Sequence, residues 1–126
     1  MNGYGKVAIV TGASMGIGRA IAFILAEDGY GVVCAARSAD AIAETAEEIN
    51  RRGGTALAIT TDISDAHAVA QMVEQTLNFF GRIDVLINNA GGPLAGVRSI
   101  APHSQDEFFE IMSHYTFQNV SETDFS

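Results

Sequence analysis

Four short and continuously apolar runs constrain the fold of this chain more than any other feature of its sequence. They are residues 7–10, 32–36, 56–59 and 85–87. A strand with one face in water alternates apolar and polar residues, whereas a parallel strand covered on both faces is apolar throughout. Patterns typical of amphipathic helices lie between the runs. The sequence therefore predicts an α/β fold built on a doubly wound parallel sheet.

Three helices are predicted between the runs from apolar residues that recur three and four positions apart. The first helix follows Gly16 and ends at Gly29. The second begins at Ser38, and the third is capped by Ser64 and ends near Gly81. Their inward positions are predicted to be Ile17, Ala20, Ile21, Ile24 and Leu25, then Ile42, Ala43, Ala46 and Ile49, then Val69, Ala70, Val73 and Leu77.

The first apolar run leads directly into a turn with three glycines, which we call the glycine turn (residues 12–18). Glycines between a buried strand and a helix permit a tight turn, a close approach of backbone to a diphosphate, and a helix N-terminus directed at negative charge. The candidate diphosphate-binding residues are Gly12, Ser14, Met15, Gly16, Ile17 and Gly18. An ordinary strand-to-helix turn also favours glycine, and core packing is a second interpretation of Met15.

The spacing of the glycine turn, G-x-x-x-G-x-G, differs from the better-known G-x-G-x-x-G, so a second motif is needed. Asn-Asn-Ala-Gly at residues 88–91 follows the fourth apolar run, and Asp62-Ile63 follows the third. Together these motifs resemble the short-chain dehydrogenase/reductase family over about residues 6–113. The resemblance implies a Rossmann-like sheet of strand order 3-2-1-4 and a nicotinamide dinucleotide as cofactor. It further implies an adenine-side position for Asp62 and Ile63, a structural role for Asn88, and a cofactor-side position for Asn89, Ala90 and Gly91.

Arg37 indicates which nicotinamide dinucleotide the chain prefers. Rossmann domains that use NAD often have an acidic residue about 20 positions after the glycines, where it accepts the ribose 2′-hydroxyl. Ala36 occupies that position here, and Arg37 follows it. A guanidinium grips a 2′-phosphate, so we expect NADP rather than NAD. The alternative is that Arg37 pairs with a nearby carboxylate or lies unused at the sheet edge.

Composition excludes several other functions. The chain has 126 residues, of which 48% are hydrophobic, and this size is that of a single globular domain. A net charge of −8 without a basic stripe argues against a nucleic-acid partner. No apolar run approaches the roughly 18 residues of a membrane span, so a cytoplasmic protein is expected. Cys34 is expected to be a small buried side chain, and the histidines show no metal-ligand spacing.

The residues that perform the reaction in this family are not found in the chain. The resemblance implies carbonyl reduction or alcohol oxidation by hydride transfer, with a Tyr-x-x-x-Lys pair, a serine and an asparagine. Lys6 is the only lysine, so the pair is absent from this sequence and no catalytic residue is assigned. The family pattern breaks after Ser113, which divides the chain into a dinucleotide-binding half-domain (residues 1–113) and an unpatterned tail (residues 114–126).

Two functional hypotheses therefore stay open. The chain is the cofactor-binding half of an NADP-preferring reductase, resembling 3-oxoacyl-carrier-protein reductases, in which a frameshift or early stop has replaced the second half. Only an intact form would act on a small carbonyl substrate. Alternatively, the chain is a dinucleotide-binding module without turnover. The family is usually homo-oligomeric, and the fourth strand would be a bare apolar edge, so self-association is expected. A capping box at residues 104–107 predicts a fourth helix.

Overall fold

Five strands and three helices make up the part of the chain that the computed structural model describes, residues 5–88 and 96–99. In chain order they are β1 (Val7–Thr11), α1 (Gly16–Glu27), β2 (Gly31–Ala36), α2 (Ala39–Arg51), β3 (Thr55–Thr60), α3 (Ala66–Phe80), β4 (Val85–Asn88) and β5 (Gly96–Ser99). The sheet order is β3-β2-β1-β4-β5, and β1 to β4 are parallel. The predicted α/β fold and the strand order 3-2-1-4 are confirmed.

The edge beyond β4 differs from the prediction. Strand β5 pairs with β4 in antiparallel register, from Val85 opposite Ser99 to Asn88 opposite Gly96. The expectation that the fourth strand would be a bare edge is therefore wrong. Strand β5 gave no signal in the sequence because an antiparallel edge strand needs backbone pairing but no continuous apolar run and no crossover helix.

Helices cover the parallel strands on both faces. Along β1, Ile9 packs into the cluster that contains the buried residues of α3, while Val10 packs into the cluster shared with α1 and α2. Both side chains are fully buried. This two-sided burial is the physical reason for the continuous apolar runs, because neither face of a central strand meets water.

Helix α1 is rotated relative to the predicted apolar face. Ile17 and Ile24 were expected inside, yet they are 71% and 63% exposed, and Ala20 is exposed as well. The buried residues of α1 are Gly18 and Ala22. Small side chains let the helix approach the strands closely, so backbone proximity rather than side-chain volume selects the inner face.

The other two helices also depart from the predicted pattern in detail. Ala43 is exposed and Thr45 is buried in its place, while Ala70 and Leu77 of α3 are only half-buried. Buried threonines satisfy their hydroxyls on a carbonyl of the preceding turn, as Thr76 Oγ1 does by donating to Met72 O at 2.8 Å. The apolar periodicity misses such residues.

The N-caps of α2 and α3 differ in whether their side chains make a capping hydrogen bond. Ser38 is the N-cap of α2 as predicted, although its side chain makes no capping hydrogen bond. The N-cap of α3 is Asp65 rather than Ser64, because the Ser64 hydroxyl donates to Asp62 Oδ1 at 2.7 Å and Asp65 Oδ1 accepts the N–H of His67 at 2.9 Å. Helix α3 ends beside Gly81 as predicted, while α1 ends at Glu27, two residues before Gly29. The fourth helix predicted from residues 104–107 lies outside the described residues.

A buried carboxylate fixes the start of β4 against β1. Asp84 Oδ2 accepts the N–H of Val7 at 2.8 Å, and the N–H of Asp84 donates to Val7 O at 2.8 Å. Arg82 supplies two further donors to the same carboxylate, at 2.8 and 2.6 Å. The charge is thereby paired, which a buried carboxylate requires. Within the ranges described above, no helix is long and apolar enough to cross a membrane.

Candidate functional site

The glycine turn leaves β1 at the carboxyl edge of the sheet, where open α/β sheets bind ligands. Gly12 and Gly16 have φ angles of +65° and +60°. A residue with a Cβ pays about 1–2 kcal/mol in this left-handed region, so glycine is needed at both positions. The turn therefore has the backbone shape that the sequence analysis expected from its glycines.

The N-terminus of α1 is open at the end of this turn. Its N-cap, Met15, makes no side-chain capping hydrogen bond, and the first turn contains no acidic residue. The first N–H groups of any helix lack partners within the helix, and the helix dipole places partial positive charge there. A Cβ built on Gly16 would meet nothing within 4 Å, so the backbone angle rather than crowding requires glycine there. The arrangement fits the negative charge of a diphosphate.

Two of the predicted diphosphate-binding side chains point to solvent. Met15 is 72% exposed and Ile17 is 71% exposed, so the alternative interpretation that Met15 packs in the core is wrong. Ser14 is half-buried, whereas Gly18 is buried against the sheet. The backbone of the turn, rather than these two apolar side chains, is the part shaped for a ligand.

A cavity of about 350 Å³ lies beside the glycine turn. Four predicted site residues line it together: Gly12, Arg37, Asp62 and Ile63. They come from three separate strand ends, and parallel pairing places those ends at one edge of the sheet. The structure thus brings together Arg37, Asp62 and Ile63, which were predicted for the adenosine side of a dinucleotide, and Gly12, which was predicted for the diphosphate.

Arg37 is exposed, and within the described ranges it forms no ion pair with a carboxylate. The contacts in this region therefore do not support the alternative interpretation, in which Arg37 forms an ion pair with a neighbouring carboxylate. Its guanidinium retains its donors for a ligand. Asp62 in the same cavity interacts with Arg37 only through a minor Coulombic attraction.

Asp62 is held ionised and oriented by Ser64. The Ser64 hydroxyl donates to Asp62 Oδ1 at 2.7 Å, and the Ser64 N–H donates to the same oxygen at 3.0 Å. These hydrogen bonds, with a smaller contribution from the Arg37 guanidinium, lower the pKa of Asp62 below its ordinary value. The second oxygen, Oδ2, can accept a hydrogen bond from a ligand amine.

The remaining site predictions differ in what the structure describes. Asn88, the first residue of the Asn-Asn-Ala-Gly motif, is the last residue of β4 and pairs with Thr11 of β1. The start of the motif therefore lies beside the start of the glycine turn. Asn89, Ala90 and Gly91 lie outside the described residues, and their role along the cofactor stays a prediction. Cys34 is buried as expected, and burial raises its pKa to about 12.

Thr45 contacts the glycine turn from α2, although it was not among the predicted site residues. Its hydroxyl oxygen lies 3.2 Å from the carbonyl oxygen of Ala13, a residue of the glycine turn 32 positions earlier in the chain. A threonine on the inner face of the predicted α2 helix was the available signal. Hydrophobic periodicity discards such a residue because it scores threonine as polar.

A larger cavity, of about 650 Å³, lies at the opposite edge of the sheet beside Lys6, Tyr30 and Arg52. It contains none of the motif residues and lies at the amino ends of the strands. Ligands of open parallel sheets bind at the carboxyl ends, so the smaller cavity is the better candidate site.

The comparisons with known proteins agree with this geometry. A family model described as short chain dehydrogenase matches residues 6–123, a range that extends past Ser113, and the predicted division at that residue stays a prediction. An uncharacterized oxidoreductase of Methylorubrum extorquens is 50% identical over 109 residues, which is 85% of this chain and 44% of that protein. The 3-oxoacyl-[acyl-carrier-protein] reductase FabG of Staphylococcus aureus is 47% identical over 87 residues, 68% of this chain and 35% of that protein.

Solved structures show the same relationship. A hydroxysteroid dehydrogenase from Escherichia coli aligns with a TM-score of 0.72 at 32% identity, covering 97% of this chain and 50% of that one. A short chain dehydrogenase/reductase from Burkholderia phymatum in complex with NAD aligns with a TM-score of 0.69 at 35% identity, covering 72% and 32% of the two chains. The chain thus spans less than half the length of the curated relatives it matches.

Proposed function

The chain belongs to the short-chain dehydrogenase/reductase family, and from that membership we propose that its carboxyl-edge site binds NADP in preference to NAD. The observation that supports this proposal most directly is the 350 Å³ cavity, in which Arg37 and Asp62 meet the glycine turn. An open helix N-terminus adjoins the cavity. Backbone amides, a guanidinium and an oriented carboxylate match the diphosphate, the 2′-phosphate and the adenine amine of one ligand.

Each part of the chain has a defined task in this proposal. The amides at the start of α1 bind the diphosphate, and Arg37 binds the 2′-phosphate of the adenosine ribose. Asp62 accepts a hydrogen bond from the adenine amine, and Ile63 packs beside the ring. Asn89, Ala90 and Gly91 complete the site toward the nicotinamide. When bound, the nicotinamide supplies or accepts a hydride.

The NADP preference rests on Arg37 and on the neutral residue before it. Ala36 offers no carboxylate, so a 2′-phosphate meets no repulsion there and a 2′-hydroxyl finds no acceptor. A hydrogen bond to a charged group contributes about 1.5–3 kcal/mol, which corresponds to a factor of about 10 to 100 in Kd. We therefore expect NADPH to bind at least tenfold more tightly than NADH.

Arg37→Gln tests this preference, with Arg51→Gln as the matched control. Arg51 is an exposed residue at the far end of α2 that pairs with Glu48 and lies away from the cavity. Fluorescence titration of the parent protein and of both variants with NADPH and NADH gives six dissociation constants. Arg37→Gln should weaken NADPH binding about 10- to 100-fold and leave NADH binding unchanged, while Arg51→Gln should change neither. Equal affinities of the parent protein for NADPH and NADH would contradict the proposal.

The reaction itself needs residues beyond those in this sequence. We propose that an intact form reduces a small carbonyl substrate, of which a 3-oxoacyl thioester is one example, or oxidises the matching alcohol. The 126 residues contain no Tyr-x-x-x-Lys pair, so the chain alone should bind NADPH without oxidising it. An assay of NADPH oxidation with ketone substrates separates this outcome from an active reductase.

We also propose a cytoplasmic protein that self-associates and has no nucleic-acid or membrane partner. The net charge of −8 opposes binding to nucleic acid. Members of the family are usually homo-oligomers, which supports self-association. Light scattering after size-exclusion chromatography measures the oligomeric state, and a monodisperse monomer would contradict the self-association.

A further inference from the structure

We infer that Thr45 is a positioning residue for the glycine turn: its buried hydroxyl holds the Ala13 carbonyl and thereby fixes the backbone that receives the diphosphate. The inference rests on the proposed binding of a nicotinamide dinucleotide at this turn. It adds a residue of α2 that cannot touch the ligand itself, because Thr45 is fully buried.

The hydroxyl of Thr45 has two acceptors within reach. Its oxygen lies 3.2 Å from Ala13 O and 3.2 Å from Ala41 O. A hydroxyl donates one proton, so it serves one of them at a time. Ala41 is in α2, where the backbone ladder also supplies a donor to its carbonyl. Ala13 is in an irregular, buried turn, so donation to Ala13 satisfies a carbonyl that the ladder does not reach.

Ala13 is held from its other side as well. Its N–H donates to Ala35 O of β2 at 3.4 Å, and the residue is fully buried. Gly12 and Gly16, on either side, both adopt left-handed backbone angles. Because glycine has wide conformational freedom, these two positions alone do not fix the turn. The two hydrogen bonds at Ala13 restrict it between its glycines.

Restricting the turn before the ligand arrives lowers the cost of binding. The amides from Ser14 to Ile17 must point together at one diphosphate, and every conformation that disperses them weakens the site. Helix α2 also begins two residues after Arg37, so the element that fixes the turn starts beside the proposed 2′-phosphate contact. Thr45 thus fixes the glycine turn to the helix that begins beside Arg37.

Three substitutions separate the hydroxyl from its surroundings. Thr45→Val keeps the side-chain volume and removes the hydroxyl, whereas Thr45→Ser keeps the hydroxyl and removes a methyl group. Thr76→Val is the matched control, because Thr76 is equally buried but donates within its own helix on the opposite face of the sheet. Fluorescence titration with NADPH and NADH measures binding, and circular dichroism verifies folding.

Thr45→Val should weaken binding of NADPH and NADH by the same factor, about tenfold, because both ligands share the diphosphate. Thr45→Ser and Thr76→Val should bind within about twofold of the parent protein. Equal loss in Thr45→Val and Thr76→Val would overturn the inference, as would equal loss in Thr45→Val and Thr45→Ser, or no loss at all. If Thr45→Val does not fold, Thr45→Ala against Thr45→Ser repeats the comparison. A folded parent protein that binds neither ligand contradicts the proposed function itself.

Discussion

Helices α1 and α3 both begin at the carboxyl edge of the same sheet, yet a side chain caps the N-terminus of α3 and none caps that of α1. Helix α3 has an acidic N-cap, because Asp65 accepts the N–H of His67 at 2.9 Å. The N-cap of helix α1, Met15, makes no side-chain capping hydrogen bond, and the first turn of α1 contains no acidic residue. A side-chain cap stabilises a helix by about 1 kcal/mol, so α1 forgoes stability that α3 obtains. Of these two ends, the uncapped one adjoins the glycine turn. Helix α2 also lacks a side-chain capping hydrogen bond, but its first turn contains the acidic residue Asp40.

The contrast separates a structural helix start from one arranged for an external anion. An N-cap carboxylate neutralises the positive end of a helix and uses one of its free amides. A bound diphosphate needs the same amides and the same charge. A helix N-terminus that binds a ligand therefore cannot also be capped by a side chain of its own chain. The substitutions below add a negative charge to the open end of α1 and remove the cap of α3.

The largest effect is expected from placing a carboxylate at the open end. Ile17 is the second residue of α1 and is 71% exposed, so Ile17→Glu requires no repacking. The new charge favours the helix dipole and should raise the free energy of unfolding by about 0.3–1 kcal/mol. It repels a diphosphate about 4 Å away by about 1–4 kcal/mol, so NADPH binding should fall about fivefold or more in a fluorescence titration.

His67→Glu is the control for this charge, since His67 is the exposed second residue of α3. It introduces the same side chain at the same helical position of the capped helix. Stability should change little or rise slightly, and NADPH binding should stay within about twofold. Unchanged binding in Ile17→Glu, or an equal loss in both variants, would mean that the start of α1 does not hold the diphosphate.

The capped helix was the harder of the two to predict. The sequence pattern predicts Ser64 as the N-cap, but the Ser64 hydroxyl donates to Asp62 and the cap is the next residue, Asp65. Ser, Asp and Asn are all good caps, so adjacent candidates cannot be ranked by residue type. The glycine turn was recognisable in the sequence because left-handed backbone angles at Gly12 and Gly16 demand glycine.

The parallel strands were predictable because burial on both faces leaves an unbroken apolar run, whereas β5 pairs through backbone alone and leaves no such trace. The same limit applies to Thr45 and Asp84, whose roles arise from contacts 32 and 77 positions along the chain. Arg37 and Asp62 were predicted from motif position, and parallel register then placed them in one cavity. Local sequence patterns are enough to predict the glycine turn and the parallel strands. Long-range polar contacts can be identified only once the fold is known.

A smaller effect, confined to stability, is expected from removing the cap of α3. Asp65→Ala leaves the N–H of His67 without its acceptor and should lower the free energy of unfolding by about 1 kcal/mol in urea denaturation. NADPH binding should not change. Ser38→Ala is the matched control, because Ser38 is an N-cap whose side chain makes no capping hydrogen bond, and its loss should be clearly smaller. Equal losses in the two variants would remove the distinction between a used and an unused cap.

The smallest effect is expected where the approach to α3 contributes to the candidate site. Ser64→Ala removes the hydroxyl that donates to Asp62, so the pKa of Asp62 should rise toward its ordinary value, and the remaining Ser64 N–H should keep it from rising fully. A pH titration of the Asp62 carboxyl carbon by NMR measures this, with Thr76→Val on the opposite face of the sheet as the control. A lowered native pKa stabilises the fold above the unfolded value of about 3.9, and this contribution is lost as pH falls through the native pKa.

The stability difference between Ser64→Ala and the parent protein should therefore shrink at acidic pH, and because Asp62 is only half-buried it should be small even at neutral pH. NADPH binding provides the second readout, since a less oriented carboxylate is a weaker acceptor for the adenine amine. An unchanged Asp62 pKa in Ser64→Ala would show that the hydroxyl does not control the carboxylate. In that case the residues before α3 would contribute only to the capping of α3 and not to ligand binding. Of the two helix N-termini, only that of α1 would then belong to the candidate site.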